Sequence, residues 1–396
     1  MSVVTVDRAT GALLVEGRTV FPLVLSNGPP LDAFAEVAAG GANFIRVGRP
    51  HWSLESIDQQ IAADREVLDA AAAHGLHCWL QLGNVPDLPT RTPSANKQML
   101  PRIVRGLKDH PALGAWKGMD EPANPNRPER IPVAGLVRAY NALHASDPNH
   151  PVVITQAPVG TAAQLLPYRP AFDITGADIY PVSYPPGKHA GRGKRDIGVV
   201  GDITRKMDRA AGGKPIWMTL QVAWSGVIPT ERHPANVPRF PTLSQERFMA
   251  YQAIVNGARG LAFFGGHLTQ IARPADAQAG WNWTFWERVL RPLLQELTSD
   301  SVAPALVAPD ARTRVKASAK DVELVTREAG GFIYVIAVRR GSATSRVAFS
   351  GLPARLTGGE VLFEYDDQAF RTVSVDGGRF RDWFGQHDAR VYRFWR

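Results

Sequence analysis

Residues 112–122 read Ala-Leu-Gly-Ala-Trp-Lys-Gly-Met-Asp-Glu-Pro, a mostly apolar run that ends in two carboxylates and a proline. A short apolar run without strict alternation of polar and apolar residues is typical of a strand that is covered on both faces, as in a parallel sheet. Pro122 has no backbone N–H to donate and therefore ends the strand. The stretch predicts a buried strand with Asp120 and Glu121 at its carboxyl end.

Seven further apolar runs of similar length occur along the chain. In chain order the eight predicted strands are Phe21–Ser26, Ala42–Gly48, Leu76–Leu82, Ala112–Met119, Pro151–Gln156, Phe172–Tyr180, Pro215–Val222 and Gly260–Phe264. Apolar residues at helical spacing predict helices between them at Ser56–Ala73, Leu100–His110, Val133–Ala145, Ile203–Ala211, Leu243–Asn256 and Trp283–Leu297. Eight strand–helix units favour a closed (β/α)8 TIM barrel. An open dinucleotide-binding sheet is disfavoured, because residues 26–30 lack its glycine fingerprint.

The two ends of the chain have a different pattern. Residues 3–20 predict a β-hairpin that turns at residues 9–11. From about residue 301, short alternating strands are separated by Gly, Pro and Asp turns without a long helix, which is typical of an antiparallel β-sandwich. Its predicted strands are Arg312–Ser318, Asp321–Arg327, Gly331–Val338, Thr344–Ser350, Gly359–Tyr365, Phe370–Val375 and Ala389–Trp395. We therefore expect a barrel domain at 1–300, which includes the hairpin, and a β-sandwich domain at 301–396.

The composition is that of a globular protein. The 396 residues fit a barrel of roughly 250–300 residues with one smaller module. Hydrophobic residues make up 44% and charged residues 21%, and no apolar run approaches the roughly 18–20 residues of a membrane span. The single cysteine, Cys78, excludes an internal disulfide. The N-terminus has no signal-peptide pattern, so we expect a cytoplasmic protein, or a secreted one whose export signal has been removed.

The net charge of +8 is spread along the chain. A basic balance can indicate a nucleic-acid or anionic partner, but no recognition-helix or zinc-finger pattern accompanies it. The one local basic cluster, residues 188–195, is interpreted as a solvated loop, with a contact to an acidic sugar or a phosphate as the alternative. The ten histidines lack metal-ligand spacing, and neither a Gly-x-Ser-x-Gly elbow nor a phosphate-binding lysine loop is present. We expect no nucleic-acid partner, no membrane attachment, no metal and no cofactor.

Barrels of this type place their functional side chains at the carboxyl ends of the strands. The polar and aromatic residues that this rule selects include Arg46, Gln81, Asp120, Glu121, Asp178, Tyr180, Gln221, Trp224 and His267, and Trp283 follows the last strand. Carboxylates are few among them, and the fourth strand supplies two adjacent ones, Asp120 and Glu121. An Asp-Glu-Pro tripeptide is also compatible with an acidic helix N-terminus. Its position at a barrel strand end favours a functional role.

Residues 110–122 resemble the fourth-strand signature of clan A glycoside hydrolases and their uncharacterised relatives. In that family Asn-Glu-Pro or Asp-Glu-Pro carries the general acid/base, so the resemblance implies that Glu121 is the catalytic acid. Residues 41–46 are similar to the family's second strand, whose arginine supports the catalytic carboxylates. Ranges similar to its sixth, seventh and eighth strands are Ala177–Pro181, Lys214–Trp217 and Gly257–Leu261. The resemblance covers about residues 1–300, and the C-terminal sandwich also looks like a module that many of these enzymes carry.

The sequence departs from this family at the seventh strand. The family has a nucleophilic glutamate at the end of that strand, whereas this chain has Gln221. An amide is neither a nucleophile at neutral pH nor a base, so a second carboxylate is needed. The candidates are Asp178 and Asp120, with a structural pair between Asp178 and Arg46 as the alternative for the former. Glu246 is interpreted as a structural charge at a helix N-terminus.

The remaining strand-end residues predict a carbohydrate site. Flat aromatic faces contact the C–H faces of sugars, and polar groups bind their hydroxyls. We expect substrate contacts from Arg46, Gln81, Tyr180, Gln221, Trp224, His267 and Trp283, and we expect Trp79 and Trp217 to belong to the core. The favoured hypothesis is a glycoside hydrolase whose acid, Glu121, has a raised pKa. A catalytically inactive glycan-binding protein on the same scaffold and a transglycosylase are the alternatives, and the sequence leaves the sugar, the stereochemical outcome and the oligomeric state open.

Overall fold

The computed structural model describes residues 2–26, 28–89, 94–125, 131–182, 197–222, 231, 234, 240–265, 274–278, 281–364 and 370–396. The strands are β1 Val4–Val6, β2 Leu13–Val15, β3 Arg18–Val20, β4 Leu23–Ser26, β5 Phe44–Gly48, β6 His77–Gln81, β7 Leu113–Lys117, β8 Val152–Gln156, β9 Ile174–Ala177, β10 Ile216–Gln221, β11 Ala258–Phe264, β12 Lys316–Ala317, β13 Val322–Ala329, β14 Phe332–Arg339, β15 Ser345–Ser350, β16 Gly358–Leu362, β17 Phe370–Ser374, β18 Arg379–Phe384 and β19 Ala389–Trp395. The helices are α1 Phe34–Ala39, α2 Ile57–Ala73, α3 Ala95–Leu107, α4 Val133–Ser146, α5 Ala162–Leu165, α6 Val199–Ala211, α7 Leu243–Val255, α8 Pro274–Gln278, α9 Trp283–Phe285, α10 Arg291–Thr298 and α11 Ala303–Val307. Short 3-10 helices occupy Leu31–Ala33, Leu54–Ser56 and Leu166–Ala171, and a π-helical stretch, Trp286–Leu290, joins α9 to α10.

Strands β4 to β11 form a closed barrel in which each strand is parallel to its neighbours. The eight predicted barrel strands are all present, with ends that differ by a few residues, and the predicted (β/α)8 fold is confirmed. The barrel interior is filled by one cluster of side chains to which every barrel strand contributes. It includes Phe44, Trp79, Ala115, Val153 and Trp217. The expectation that Trp79 and Trp217 are core residues is confirmed, since both are buried.

The amino-terminal segment covers the bottom of the barrel. Val4 and Leu13 belong to the same cluster as the barrel interior. The predicted two-stranded hairpin is wrong in one respect, because β1, β2 and β3 form a three-stranded antiparallel sheet. Glu16 and Gly17 adopt positive φ angles of 48° and 76°, which make the tight turn between β2 and β3. The predicted second strand of the hairpin is therefore two strands.

Three residues below the barrel have the connectivity of a serine hydrolase triad. The Ser2 Oγ lies 2.9 Å from Nε2 of His150, and Nδ1 of His150 lies 2.8 Å from Asp147. All three side chains are buried, and Ser2 also donates to the carbonyl of Leu113 at 2.7 Å. Asp147 accepts a second bond from the indole of Trp116 at 2.7 Å. These bonds attach the amino-terminal segment to the fourth and fifth barrel strands, and the buried serine offers no access to a substrate.

The C-terminal part consists of two antiparallel sheets, β12-β15-β18 and β13-β14-β19-β16-β17. They share a second hydrophobic cluster and form the predicted β-sandwich. One of its strands, β18, was not predicted from the sequence. In this strand the alternation of polar and apolar residues fails, because Asp382 is buried whereas Trp383 is 58% exposed. The buried Asp382 is compensated by an ion pair with Arg371 and a hydrogen bond from Tyr392.

The sandwich packs on the barrel through helix α7. Val325, Tyr334 and Ile336 of the sandwich belong to the same hydrophobic cluster as Phe248 and Met249 of α7. Because this core is continuous, the division into domains at 1–300 and 301–396 stays a prediction. Within the described residues, no helix is long and apolar enough to cross a membrane.

Candidate active site

The fourth barrel strand, β7, ends at Lys117, three residues before Asp120. The ammonium of Lys117 is paired with the carboxylate of Asp120 and lies 5.1 Å from the centre of the Trp79 ring. The side chain of Lys117 is 1% exposed, whereas that of Asp120 is 47% exposed. The lysine is therefore a charged group inside the barrel, and Asp120 reaches back from the rim to neutralise it.

Glu121 follows in an unusual backbone conformation. Its φ angle is +43°, in the left-handed region that residues with a Cβ rarely adopt. The conformation is held by a hydrogen bond from the Glu121 N–H to the carbonyl of Thr155 on the next strand, 2.8 Å. Asn124 donates its side-chain N–H to the carboxylate of Glu121, also at 2.8 Å. Such strained residues occur preferentially at functional sites, where the surrounding structure holds them in place.

Asp178 lies just beyond the end of the sixth barrel strand, β9, and forms a bridge to Thr219 of β10. The hydroxyl of Tyr180 is among the groups that influence its carboxyl group. Burial and the negative charges of Asp120 and Glu121 raise the pKa of Asp178 to about 8, while the positive charge of Lys117 opposes this shift. The mutual influence places the three carboxyl groups in one electrostatic cluster at the carboxyl end of the barrel.

Tyr180 connects this cluster to an aromatic wall. Its ring stacks on Phe264 of the eighth strand, with the ring centres 5.5 Å apart, and the guanidinium of Arg46 lies 5.8 Å from the centre of the Phe264 ring. Burial and the negative charge of Asp178 raise the pKa of Tyr180, and the charge of Arg46 opposes them. Tyr180 is therefore a neutral phenol, which can donate a hydrogen bond to Asp178.

Gln221, which was predicted to contact the substrate, lies at the end of β10. It is completely buried. Its Oε1 accepts a hydrogen bond from the N–H of Val182 at 2.9 Å, and its Nε2 donates to the carbonyl of Val182 at 2.5 Å. Both ends of the amide are thus occupied by the backbone. The geometry does not favour Gln221 as a direct ligand of a sugar.

Of the other residues predicted to contact the substrate, Gln81 and Trp283 lie within the described residues. Gln81 ends β6 and is partly exposed, and its carbonyl accepts a hydrogen bond from the indole of Trp52 at 3.2 Å. Trp283 is half-buried and packs edge-on against Trp281, with ring centres 5.1 Å apart. The predicted sites Trp224 and His267, and the basic cluster at residues 188–195, lie outside the described residues.

Two features of the site were not found from the sequence. Lys117 occupies a strand position that the apolar pattern treats as core, although its inward direction follows from Ala115, two residues earlier. Asn124 gave no signal, because its contact with Glu121 depends on the turn after Pro122. Within the described part of the chain, no group of three or more His, Cys, Asp or Glu side chains is placed to hold a metal ion.

Glu246 corrects the interpretation of a structural charge at the start of α7. Its side chain is fully buried, and neither carboxyl oxygen has a hydrogen-bond partner among the described residues. Burial raises the pKa of Glu246 well above its usual range, so the neutral acid is favoured. The side chain therefore does not act as a helix N-terminal charge.

Comparison with known proteins identifies the class of fold. A solved structure described as a glycoside hydrolase is similar over 99% of this chain and 96% of its own, with a TM-score of 0.69 and 14% sequence identity. A glycoside hydrolase family 5 protein from Bacteroides vulgatus matches over 99% and 93% of the two chains, with a TM-score of 0.62 and 12% identity. A family 30 endoxylanase from Clostridium papyrosolvens matches over the full length of both chains, with a TM-score of 0.54 and 12% identity.

The likeness to these structures is one of fold, a (β/α)8 barrel followed by C-terminal antiparallel sheets. No family profile matches the sequence, and no curated protein matches it. The Asp-Glu-Pro subgroup inferred from the sequence therefore stays a prediction. The activity has to be argued from the residues of the site.

Proposed function

We propose that this protein is a glycoside hydrolase, an enzyme that cleaves a glycosidic bond with a pair of carboxyl groups. The observation that supports this proposal is the electrostatic cluster of Asp120, Glu121 and Asp178 at the carboxyl end of a (β/α)8 barrel. Glycoside hydrolysis requires one protonated and one ionised carboxyl group. The fold is shared with proteins described as glycoside hydrolases.

The electrostatics favour Asp178 as the proton donor. With a pKa of about 8, its carboxyl group holds a proton at neutral pH, and the negative charges of Asp120 and Glu121 are among the causes. In this assignment Glu121 is the ionised partner, which acts on the sugar directly or through a water molecule. The fourth-strand motif suggests the reverse assignment, with Glu121 as the acid, and the experiment below separates the two.

Asp120 has a supporting role in this proposal. Its carboxylate is paired with Lys117, which lowers its availability for proton transfer. Its negative charge nevertheless contributes to the raised pKa of Asp178. Asp120 thus neutralises the buried lysine and keeps the proton on the neighbouring acid.

The substrate side of the site combines aromatic and polar groups. Tyr180 and Phe264 form a stacked pair next to the carboxyl cluster, and Arg46 lies over Phe264. Aromatic faces contact sugar rings, and a guanidinium binds hydroxyl or carboxylate groups of a glycan. We propose that Arg46, Gln81 and Trp283 contact the carbohydrate together with Trp224 and His267, and that the buried Tyr180 and Gln221 contribute indirectly.

The test compares Glu121→Gln with Asp178→Asn on glycosides whose leaving groups differ in acidity. Loss of a general acid slows the hydrolysis of unactivated glycosides strongly and of nitrophenyl glycosides weakly, because a good leaving group needs no proton. Loss of the ionised carboxylate slows both by about the same factor. We expect Asp178→Asn to show the first pattern and Glu121→Gln the second.

Asp173→Asn is the matched control, since Asp173 is a hydrogen-bonded carboxylate just before the opposite end of the same strand, β9. It should change stability without changing the turnover of the folded enzyme. If Glu121→Gln instead slows unactivated glycosides selectively and Asp178→Asn slows both kinds of substrate equally, Glu121 is the acid. Tight glycan binding by the unaltered protein without turnover would replace hydrolysis by a glycan-binding function, and transfer products at high acceptor concentration would indicate a transglycosylase.

A further inference from the structure

The pairing of β9 with β10 stops where the sixth strand enters the active site. The two strands are in parallel register at Thr175 and Ile216, and a single bridge continues the pairing at Asp178 and Thr219. The last backbone bond of this ladder runs from the N–H of Ile179 to the carbonyl of Thr219, at 3.0 Å. Pro181 follows two residues later and has no N–H to continue the pairing.

The side chain of Gln221 extends this pairing. Its amide offers one acceptor and one donor, and both are used by the two backbone groups of Val182, at 2.9 and 2.5 Å. The arrangement replaces the backbone bonds that Pro181 interrupts. Because Gln221 is completely buried, the two bonds are shielded from water.

We infer that Gln221 is a positioning residue, which clamps the segment from Asp178 to Val182 against β10 and thereby fixes Asp178 and Tyr180 relative to Glu121. This inference rests on the proposed function for its catalytic consequence, but the clamp itself is a structural feature. It also explains why a glutamine stands where the resemblance places a nucleophilic glutamate. In this chain the position maintains the geometry of a carboxyl group on the neighbouring strand.

The clamp needs an amide at this position. An ionised carboxylate accepts from the N–H of Val182 but cannot donate to its carbonyl, whereas a protonated carboxyl group can do both. In Gln221→Glu the clamp should therefore form at low pH and open as the new group ionises. Among the described residues, the charged and titratable groups that influence Asp178 and Tyr180 at this end of the barrel are Lys117, Asp120, Glu121 and Arg46. The carboxylates among them oppose ionisation of the new group, and the two basic residues favour it.

The experiment measures the titration of aspartate carboxyl groups by 13C NMR in the full-length protein and in Gln221→Met and Gln221→Glu. We expect the pKa of Asp178 to fall towards its usual range in Gln221→Met, because release of the segment admits water to the carboxyl group. The matched control is Gln252→Met, which removes another fully buried glutamine whose amide donates to Glu323 at 2.8 Å on the sandwich side of α7. This control should leave the titration of Asp178 unchanged.

Kinetics supply the second measurement. Gln221→Met should lower kcat of the folded enzyme by about 10- to 100-fold with a smaller change in KM, since misplacement of a reacting group by about 1 Å has an effect of this size. Gln221→Glu should be more active than Gln221→Met at low pH, where the new carboxyl group is protonated. As pH rises, Gln221→Glu should lose activity at a lower pH than the unaltered enzyme does. If Gln221→Met prevents folding, Gln221→Glu at low pH still tests the clamp.

Two results would overturn the inference. One is an Asp178 titration in Gln221→Met that equals that of the unaltered protein. The other is a gain of hydrolysis in Gln221→Glu with a covalent glycosyl-enzyme intermediate, which would identify the position as a vacant nucleophile site. If the unaltered protein hydrolyses no glycoside, the proposed function fails, but the carboxyl titration still decides whether Gln221 is a clamp.

Discussion

Glu121 and Asp178 reach the same end of the barrel by different backbone routes. Glu121 depends on a left-handed residue held by Thr155, whereas Asp178 lies on an interrupted strand held by Gln221 and Thr219. In both cases a backbone bond from a neighbouring strand fixes the segment that carries the carboxyl group, and the charge of Glu121 contributes to the raised pKa of Asp178. The free energy of unfolding should therefore depend on whether these carboxyl groups are ionised.

The free energy of unfolding of Asp178→Asn, relative to that of the unaltered protein, should increase as pH rises. Below pH about 4 both the folded and the unfolded chain hold the Asp178 proton, given an ordinary pKa of 3.8, so the difference in stability between the two proteins does not change with pH there. Between pH about 4 and 8 only the folded chain holds it, so the unaltered protein loses up to about 1.4 kcal/mol of unfolding free energy per pH unit, and the variant does not. Urea unfolding at pH 4 to 9 measures the difference, which should grow to pH about 8 and then stay constant.

Asp173→Asn provides a control of opposite sign. Burial raises the pKa of Asp173, but hydrogen bonds from His144 and the backbone of Val152 outweigh this effect and lower it. The ionised form thus stabilises the folded protein above the usual aspartate pKa, and this contribution is lost as pH falls through the lowered value. The variant should be less stable than the unaltered protein at neutral pH and approach it in acid. A difference for Asp178→Asn that does not depend on pH would contradict the raised pKa of Asp178.

At the scale of elements, the sequence predicted the strands of the barrel better than the contacts between them. Each barrel strand is an apolar run covered on both faces, which leaves a clear pattern in the sequence. The pattern failed for β18, where Asp382 is buried and Trp383 exposed, because an arginine on another strand compensates the aspartate. It also misplaced Glu246, since helical spacing alone does not show which face of α7 is buried.

The carboxyl cluster was predictable in part for the same reason. The strand-end rule selected Asp120, Glu121 and Asp178, because parallel strands bring their carboxyl ends to one side of the barrel. The roles of Lys117 and Gln221 depend on the register between strands and on a backbone segment interrupted by a proline. Neither is encoded in the spacing of residues along one element.

Glu246→Met should stabilise the protein, because it replaces a buried acid by an apolar side chain of similar length on the inner face of α7. Since no described residue pairs with the carboxyl group, its removal should raise the free energy of unfolding by about 1–3 kcal/mol at neutral pH. The gain should grow as pH rises above 4.5, the usual glutamate pKa, because only the unfolded chain then ionises. Urea unfolding at pH 5 and pH 8 measures it.

The control for this prediction is Glu66→Met on the exposed face of α2. Its effect should stay within about 0.5 kcal/mol, as for most surface substitutions. A loss of stability in Glu246→Met would show that the acid has a partner in the folded protein.

At the scale of the whole molecule, one buried ion pair joins three parts of the chain. Arg247 of α7 donates to Glu296 of α10 at 2.9 Å and to the carbonyl of Ala389 in the sandwich at 2.6 Å. Tyr251 donates to the same glutamate at 2.6 Å. Because the hydrophobic cluster of the barrel helices continues into the sandwich, the two parts should unfold together.

Glu296→Ala tests this coupling. It leaves the buried guanidinium of Arg247 without its carboxylate, which should lower the free energy of unfolding by about 3–5 kcal/mol. Hydrogen exchange with mass spectrometry, at increasing urea, follows peptides from β7 of the barrel and β14 of the sandwich separately. Both should lose protection in one transition, at a lower urea concentration than in the unaltered protein.

The control is Asp58→Ala, which breaks the exposed pair between Asp58 and Arg102 and should change stability by at most about 1 kcal/mol. Loss of protection in the sandwich alone would show that the two parts are independent, and would make residues 301–396 a separate domain in the thermodynamic sense.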